Sequence, residues 1–126
     1  MGLIHADLTL SNVRRDDLQP VEIRAMADSG AIQSCIPESV ALQLELDELE
    51  KRSVTLADGS TRLVPFVGPL HIRFKNRQTI CGVLMMGDEP LLGAVQMEDM
   101  DVILQPRTQS VEVNPVSPNF PHMSVK

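Results

Sequence analysis

Aromatic side chains are almost missing from this sequence: its 126 residues include three Phe, no Tyr and no Trp. Binders of single-stranded nucleic acid stack bases on aromatic rings, so that class is excluded on composition. Basic charge is also scarce. Eleven Lys and Arg stand against seventeen Asp and Glu, a formal charge of −6, and no basic cluster is present to neutralise the phosphates of a duplex. The same balance disfavours adsorption to anionic membranes. No apolar run approaches the ~20 residues of a membrane span; the longest candidate runs from Ile80 to Met86. The first ten residues, MGLIHADLTL, lack a basic region followed by a long apolar core, so no secretory leader is expected. Gly2 invites a myristoylation reading, but Ala6 occupies the position that needs Ser or Thr. There are only two cysteines, Cys35 and Cys81, both in apolar segments, and no N-x-S/T sequon. Free buried thiols in a cytoplasmic chain are expected ahead of a disulfide. His5, His71 and His122 share no ligand spacing with the cysteines or with each other, so no metal and no cofactor is expected.

What is present is period-two alternation, the signature of half-buried strands. Ile4, Ala6, Leu8 and Leu10 alternate with His5, Asp7, Thr9 and Ser11; Val21, Ile23, Ala25 and Ala27 alternate with Glu22, Arg24 and Met26. The two runs, joined through the charged turn Arg14 to Asp17, read as a hairpin. Pro37 followed by Val40, Ala41 and Leu44 predicts a short helix over about residues 37–45, which Asp47 to Lys51 either extends or leaves as a loop. Ser53 to Leu56 reads as a strand broken by Asp58-Gly59, a pair that favours a two-residue type I′ hairpin turn. The return arm runs from Thr61 to about Lys75, with a bend at Gly68-Pro69 and a turn at Asn76-Arg77. Thr79 to Met86 is apolar on both parities, as in a strand covered on both faces. Val95 to Met100 suggests one or two helical turns, and Val102 to Leu104 and Val111 to Val113 two last strands. At roughly 100–200 residues per domain the length allows one domain, taken as residues 1–113. The Pro-containing tail, residues 114–126, is expected to lack regular structure. The fold class is all-β with one or two short helices.

The residues that carry chemistry lie at the end of the second strand: Ala27-Asp28-Ser29-Gly30-Ala31. Locally these read as a turn, because Asp and Ser before Gly bond nearby backbone N–H groups. Two features add to that reading. A second Gly-Ala pair follows another apolar stretch, in Leu91-Leu92-Gly93-Ala94, 63 residues after the first. That offset, half the chain, suggests two similar halves. A long Asp-Gly-tipped hairpin also lies between the copies, where it could fold over a site.

This ordered set resembles the retropepsin-like aspartic proteases, in their single-lobe bacterial form, over about residues 3–113. Asp28-Ser29-Gly30-Ala31 stands where that family has its Asp-Thr/Ser-Gly-Ala signature, Leu91-Leu92-Gly93 where it has its second hydrophobic-hydrophobic-Gly motif, and Ala57-Asp58-Gly59-Ser60 where it has its flap tip. The resemblance implies an acid-protease barrel and an aspartic endopeptidase without cofactor, acting on an extended peptide or unfolded protein. Such chemistry needs one carboxylate as base and one protonated carboxyl as acid, and this chain has one such signature. The resemblance therefore implies a homodimer with Asp28 from each subunit as the catalytic pair, Ser29 bonding across the two-fold axis and Gly30 permitting close approach. A retropepsin-like module that binds peptides without cleaving them is the alternative. Retroviral members have an acidic residue after the Ala and an Arg after the second Gly, which brace their dimer; here Ile32 and Ala94 stand instead. Other constellations carry less. Ser29 lacks the Gly-x-Ser-x-Gly frame of a nucleophile elbow, Glu45 to Glu50 reads as a solvated acidic face, and Met85, Met86, Met97 and Met100 read as core filler.

Overall fold

The computed structural model describes residues 3–125; Gly2 lies outside the described residues. Strands hold 48% of the described residues and helices 11%. The alternation at the N-terminus becomes β1 (His5–Asn12) and β2 (Val21–Ala27), paired antiparallel from His5 with Met26 to Leu10 with Val21. Successive strand side chains point to opposite faces, so Ala6, Leu8 and Leu10 all enter the core. Next come β3 (Cys35–Ile36), helix α1 (Glu38–Gln43), the hairpin strands β4 (Asp47–Thr55) and β5 (Thr61–Phe74), and β6 (Arg77–Met85). They are followed by β7 (Leu91–Leu92), helix α2 (Ala94–Met100), β8 (Val102–Gln105) and β9 (Ser110–Val113).

The 14-residue β5 is what closes the barrel. Its first half pairs with β4, and its second half pairs with β6 on one side and β1 on the other. The ring β1–β2–β7–β3–β6–β5 thereby returns to β1, leaving β4 on one side and the β8–β9 hairpin on the other. The bend expected at Gly68-Pro69 is a register shift between Val67 and Leu70, with a cis bond at the proline. Leu10, Leu44, Leu70, Ile72, Val83, Leu92 and Met100 fill the interior, each almost fully excluded from water; burying one such side chain contributes ~1.5–3 kcal/mol. No helix among the described residues is long and apolar enough to cross a membrane.

Local expectations were met unevenly. Asp47 to Lys51 neither extends α1 nor forms a loop, because Glu45 turns left-handed at φ 50 and Asp47 opens β4. A distant residue ends the helix: the buried Asn12 amide donates to the carbonyls of Leu44 (2.9 Å) and Glu45 (3.2 Å). The β5–β6 turn sits at Lys75-Asn76, with Lys75 at φ 53, while Arg77 is a buried strand residue. In β6 the apolar run is covered on both faces only at Val83 and Leu84; Ile80 is exposed. The acidic segment is solvated as expected. Glu45, Asp47, Glu48 and Glu50 make exposed ion pairs with Arg15, Arg14, Lys51 and Arg52, of a kind that contributes at most about 1 kcal/mol each. Cys35 and Cys81 are free thiols, and burial raises both, Cys81 to about 11.

Residues 114–125 contain no helix or strand, yet they are held as a strap. Asp101, in the left-handed position that ends α2 (φ 54), accepts hydrogen bonds from the Asn114 side chain (3.0 Å), the Ser117 hydroxyl and the His122 backbone N–H (2.9 Å). Asn76 donates to the Pro118 carbonyl (3.0 Å), and Arg77 to that of Ser117.

The Ser117 hydroxyl, the Asn114 amide and the His122 N–H stabilise the charged form of Asp101 and lower it from 3.8 to about 2. A depressed carboxyl contributes stability that is fully present above its ordinary value and disappears as pH falls through the lowered one. The strap is therefore expected to stay clasped above about pH 4 and to release near pH 2. In NMR titration the His122 amide should shift with a midpoint near 2, and Asp101→Asn should abolish that transition.

Candidate active site

Strand β2 delivers Asp28 to the surface beside β7, which runs parallel to it with Ala27 opposite Leu92. The Asp28 backbone N–H donates to the Leu92 carbonyl at 3.0 Å. Asp28 as a residue is half-buried, and its Oδ1 accepts the Gly30 N–H at 2.8 Å in an exposed bond. The Ala31 N–H returns to the Asp28 carbonyl at 3.1 Å. These bonds are the turn that local sequence reading anticipates, and they also fix the carboxylate's direction.

The two Gly-Ala motifs meet. Ala94 N–H donates to the Ala31 carbonyl (2.7 Å) and Val95 N–H to that of Ile32 (3.0 Å). Gly93 is required by close approach: a Cβ there would lie 2.5 Å from the Gln33 carbonyl carbon and 2.8 Å from the Ser34 nitrogen. Leu91 and Leu92 form β7 between β2 and β3, with Leu92 in the core. A Cβ at Gly30 would meet only the Asp28 carboxylate, at 3.1 Å. Ser29 and Gly30 are exposed, and Ala31 is half-buried.

Two residues that the sequence reading passed over lock this arrangement. Gln96 Oε1 accepts both the N–H (3.1 Å) and the hydroxyl (2.8 Å) of Ser34. Ser34 Oγ in turn accepts the Gly93 N–H (2.9 Å), and Gln96 Nε2 donates to the Gln33 side chain (3.1 Å). Ser34 and Gln96 are each 2% exposed. Their signal in the sequence was a polar residue inside an apolar stretch, which acquires meaning only once its partner, 62 residues away, is known.

The hairpin expected to be the flap is β4–β5. Its tip holds three residues, not the two of a type I′ turn. Only Gly59 has positive φ (87°), Gly59 N–H bonds the Leu56 carbonyl (2.9 Å), and Leu56 N–H bonds that of Ser60 (2.8 Å). Glycine in the left-handed position after a tight turn is the usual device of a three-residue hairpin. Asp58 accepts from the Ser60 hydroxyl and N–H, which lowers its carboxyl. Ala57, Asp58, Gly59 and Ser60 are all exposed. The arm below them, not the tip, faces the active-site loop. Residues Arg52 to Leu56 and Gly30 to Gln33 line opposite sides of an open cleft of about 530 Å³ with Cys35, Leu84 and Met86 in its walls. Met86 is thus a cleft residue, whereas Met97 and Met100 fill the core. At the arm's base the Arg52 guanidinium lies 3.9 Å over the Phe66 ring, whose far edge rests where Gly82 has no side chain; a Cβ there would approach the ring to 2.3 Å.

Comparison with solved structures gives a neighbour for this arrangement. The chain is similar to the retroviral protease-like domain of Ddi1 from Leishmania major, with a TM-score of 0.57 and 12% identity over 90% of this chain and 91% of that one. At that identity the likeness shows the fold, which is retropepsin-like. No protein-family model matches the chain, and no curated protein does.

Gly93→Ala should destabilise the fold by about 1–3 kcal/mol, the usual cost of forcing atoms into a filled space, measured by urea unfolding. Gly59→Ala is the comparison, because it meets no atom within 4 Å and strains only the flap's φ. Gln96→Leu should cost about 1–3 kcal/mol by leaving the buried Ser34 donors unpaired. It should also speed amide exchange at Gly93.

Proposed function

We propose that the chain is one half of an aspartic endopeptidase, and that two copies join to bring Asp28 and its symmetry mate together. The observation that carries this reading is the Asp28 carboxylate, fixed at an exposed loop that is knit to Leu91–Ala94 and opens on a cleft under the flap arm. A single carboxylate serves as base or as acid but not as both at once. Two side by side share one proton, because both cannot ionise cheaply. The ionised member then takes a proton from water as the water attacks the peptide carbonyl. The protonated member donates to the carbonyl oxygen; the member that took the water's proton then gives it to the leaving nitrogen as the C–N bond breaks and the other recovers its proton from the diol.

An extended peptide suits the cleft. Ile32, Val54, Leu56, Leu84 and Met86 give it apolar walls, and the flap arm offers strand edges to which a peptide backbone can add. Ser29, exposed beside Asp28, would bond across the two-fold axis. Ile32 and Ala94, in place of the ionic brace of retroviral members, fit the single-lobe bacterial branch. The free thiols fit a reducing, cytoplasmic compartment.

Purified protein should hydrolyse an unfolded protein substrate with a bell-shaped pH–rate profile, since activity needs one carboxyl ionised and one protonated. Asp28→Asn should remove hydrolysis and leave the dimer intact by sedimentation. Full activity in that variant overturns the assignment. Tight peptide binding without turnover by the parent, at every pH from about 4 to 8, overturns the catalytic half of it.

A further inference from the structure

The strap ends beside the active-site loop. His122, Met123 and Ser124 share a shallow groove with Ser29 and with Ala94, Met97 and Glu98 of α2. Met123 is 58% exposed there. Three more apolar side chains stand free around the same loop. Ile32, 71% exposed, follows the Asp28 turn directly, and Val95, 44% exposed, is hydrogen-bonded to it through the backbone. Leu3 is 66% exposed; the β1–β2 register, continued past His5–Met26 by the bond from Ala27 N–H to the Ile4 carbonyl, brings it level with Asp28.

We infer that Leu3, Ile32, Val95 and the strap residue Met123 form an apolar collar around Asp28 that receives the same collar of a second copy, with Asp101 holding the strap in place for that contact. The inference rests on the dimeric reading above and specifies its surface. The site itself identifies the occupant. Asp28 lacks a second carboxylate, and any copy that supplies one must sit on the residues encircling it. Such a contact is isologous, each patch meeting itself. Two chains of charge −6 gain nothing from like charges placed face to face, whereas an apolar patch is complementary to its own copy. The collar thereby takes the place of the ion pair that Ile32 and Ala94 cannot make.

The strap could instead be a cover that must leave before two copies meet. Its anchorage argues against that. Release would break three hydrogen bonds to Asp101 and the Asn76 bond to Pro118, and would remove the Ser117 carbonyl from Arg77. Arg77 is buried and already has two nitrogens without partners, and a buried guanidinium stripped of its acceptor is costly. A docked strap keeps Met123 exposed and available.

The test is the dimer dissociation constant by analytical ultracentrifugation, on the parent chain, four substitution variants and a chain truncated after Asn114. Met123→Asp, Ile32→Asp and Asp101→Asn should each weaken dimerisation roughly tenfold or more, the loss of about 1.4 kcal/mol of contact. Leu42→Asp, at an exposed position on α1 beyond the opposite end of β1, should leave it unchanged. Far-ultraviolet circular dichroism verifies that each variant is folded. Collar variants that dimerise like the parent overturn the collar and leave the Asp28 pair standing. Tighter dimers from Asp101→Asn or from a chain truncated after Asn114 also overturn it, by making the strap a cover. A parent that is monomeric at high concentration and hydrolyses nothing overturns the dimeric reading and the collar with it.

Discussion

The structure depends on one close approach, where the chain passes Gly93 against the backbone of Gln33 and Ser34. A strand end and a helix start from opposite halves of the sequence must come within bonding distance there, and only a residue without a Cβ permits it. Given that contact, Asp28 N–H reaches Leu92, Ala94 reaches Ala31 and Val95 reaches Ile32. The buried Ser34–Gln96 pair then fixes the spacing. Fully satisfied polar networks of this kind favour a single geometry because any partial arrangement leaves buried donors unpaired. The direction of the Asp28 carboxylate follows from bonds made 62 to 64 residues away as much as from its own turn.

Much of this was legible in the sequence. Alternation at Ile4–Leu10 and Val21–Ala27 gave two strands and their pairing, because a side-chain period of two can be satisfied only by one buried face. The Asp-Ser-Gly-Ala and Leu-Leu-Gly-Ala motifs pointed to each other by context and spacing, and the fold joins them. Less legible were features whose cause lies far away along the chain. The end of α1 is set by Asn12, the locking of the two loops by Ser34 and Gln96, and the order of the tail by Asp101. Each is an ordinary polar residue until its partner is known. The flap tip failed for a different reason. Asp-Gly is compatible with two- and three-residue turns, and the choice was made by the pairing of Leu56 with Ser60 across the hairpin.

On the proposed dimeric reading, a lobe this small supplies half a site. The barrel's interior is given to aliphatic packing, and at one end of β2 the Asp28 carboxylate is held by a main-chain donor, the Gly30 N–H, and not by a salt bridge. Exposed Ile32 and Val95, the strap with Met123 and the open cleft under the hairpin arm all lie near that end. Exposed apolar surface grouped around polar chemistry is the usual mark of a contact surface.

The stack at the foot of the flap has a mechanical meaning. Arg52, Phe66 and the empty face of Gly82 pin the β4–β5 ribbon to β6, while residues 57–63 are exposed to solvent and bonded only within the hairpin. A ribbon clamped at its root and free at its tip is a cantilever, in which a small rotation at the clamp becomes a large sweep at the end. The space that the clamp's ring occupies is therefore set by Gly82, which lies on a different strand from either arm of the ribbon.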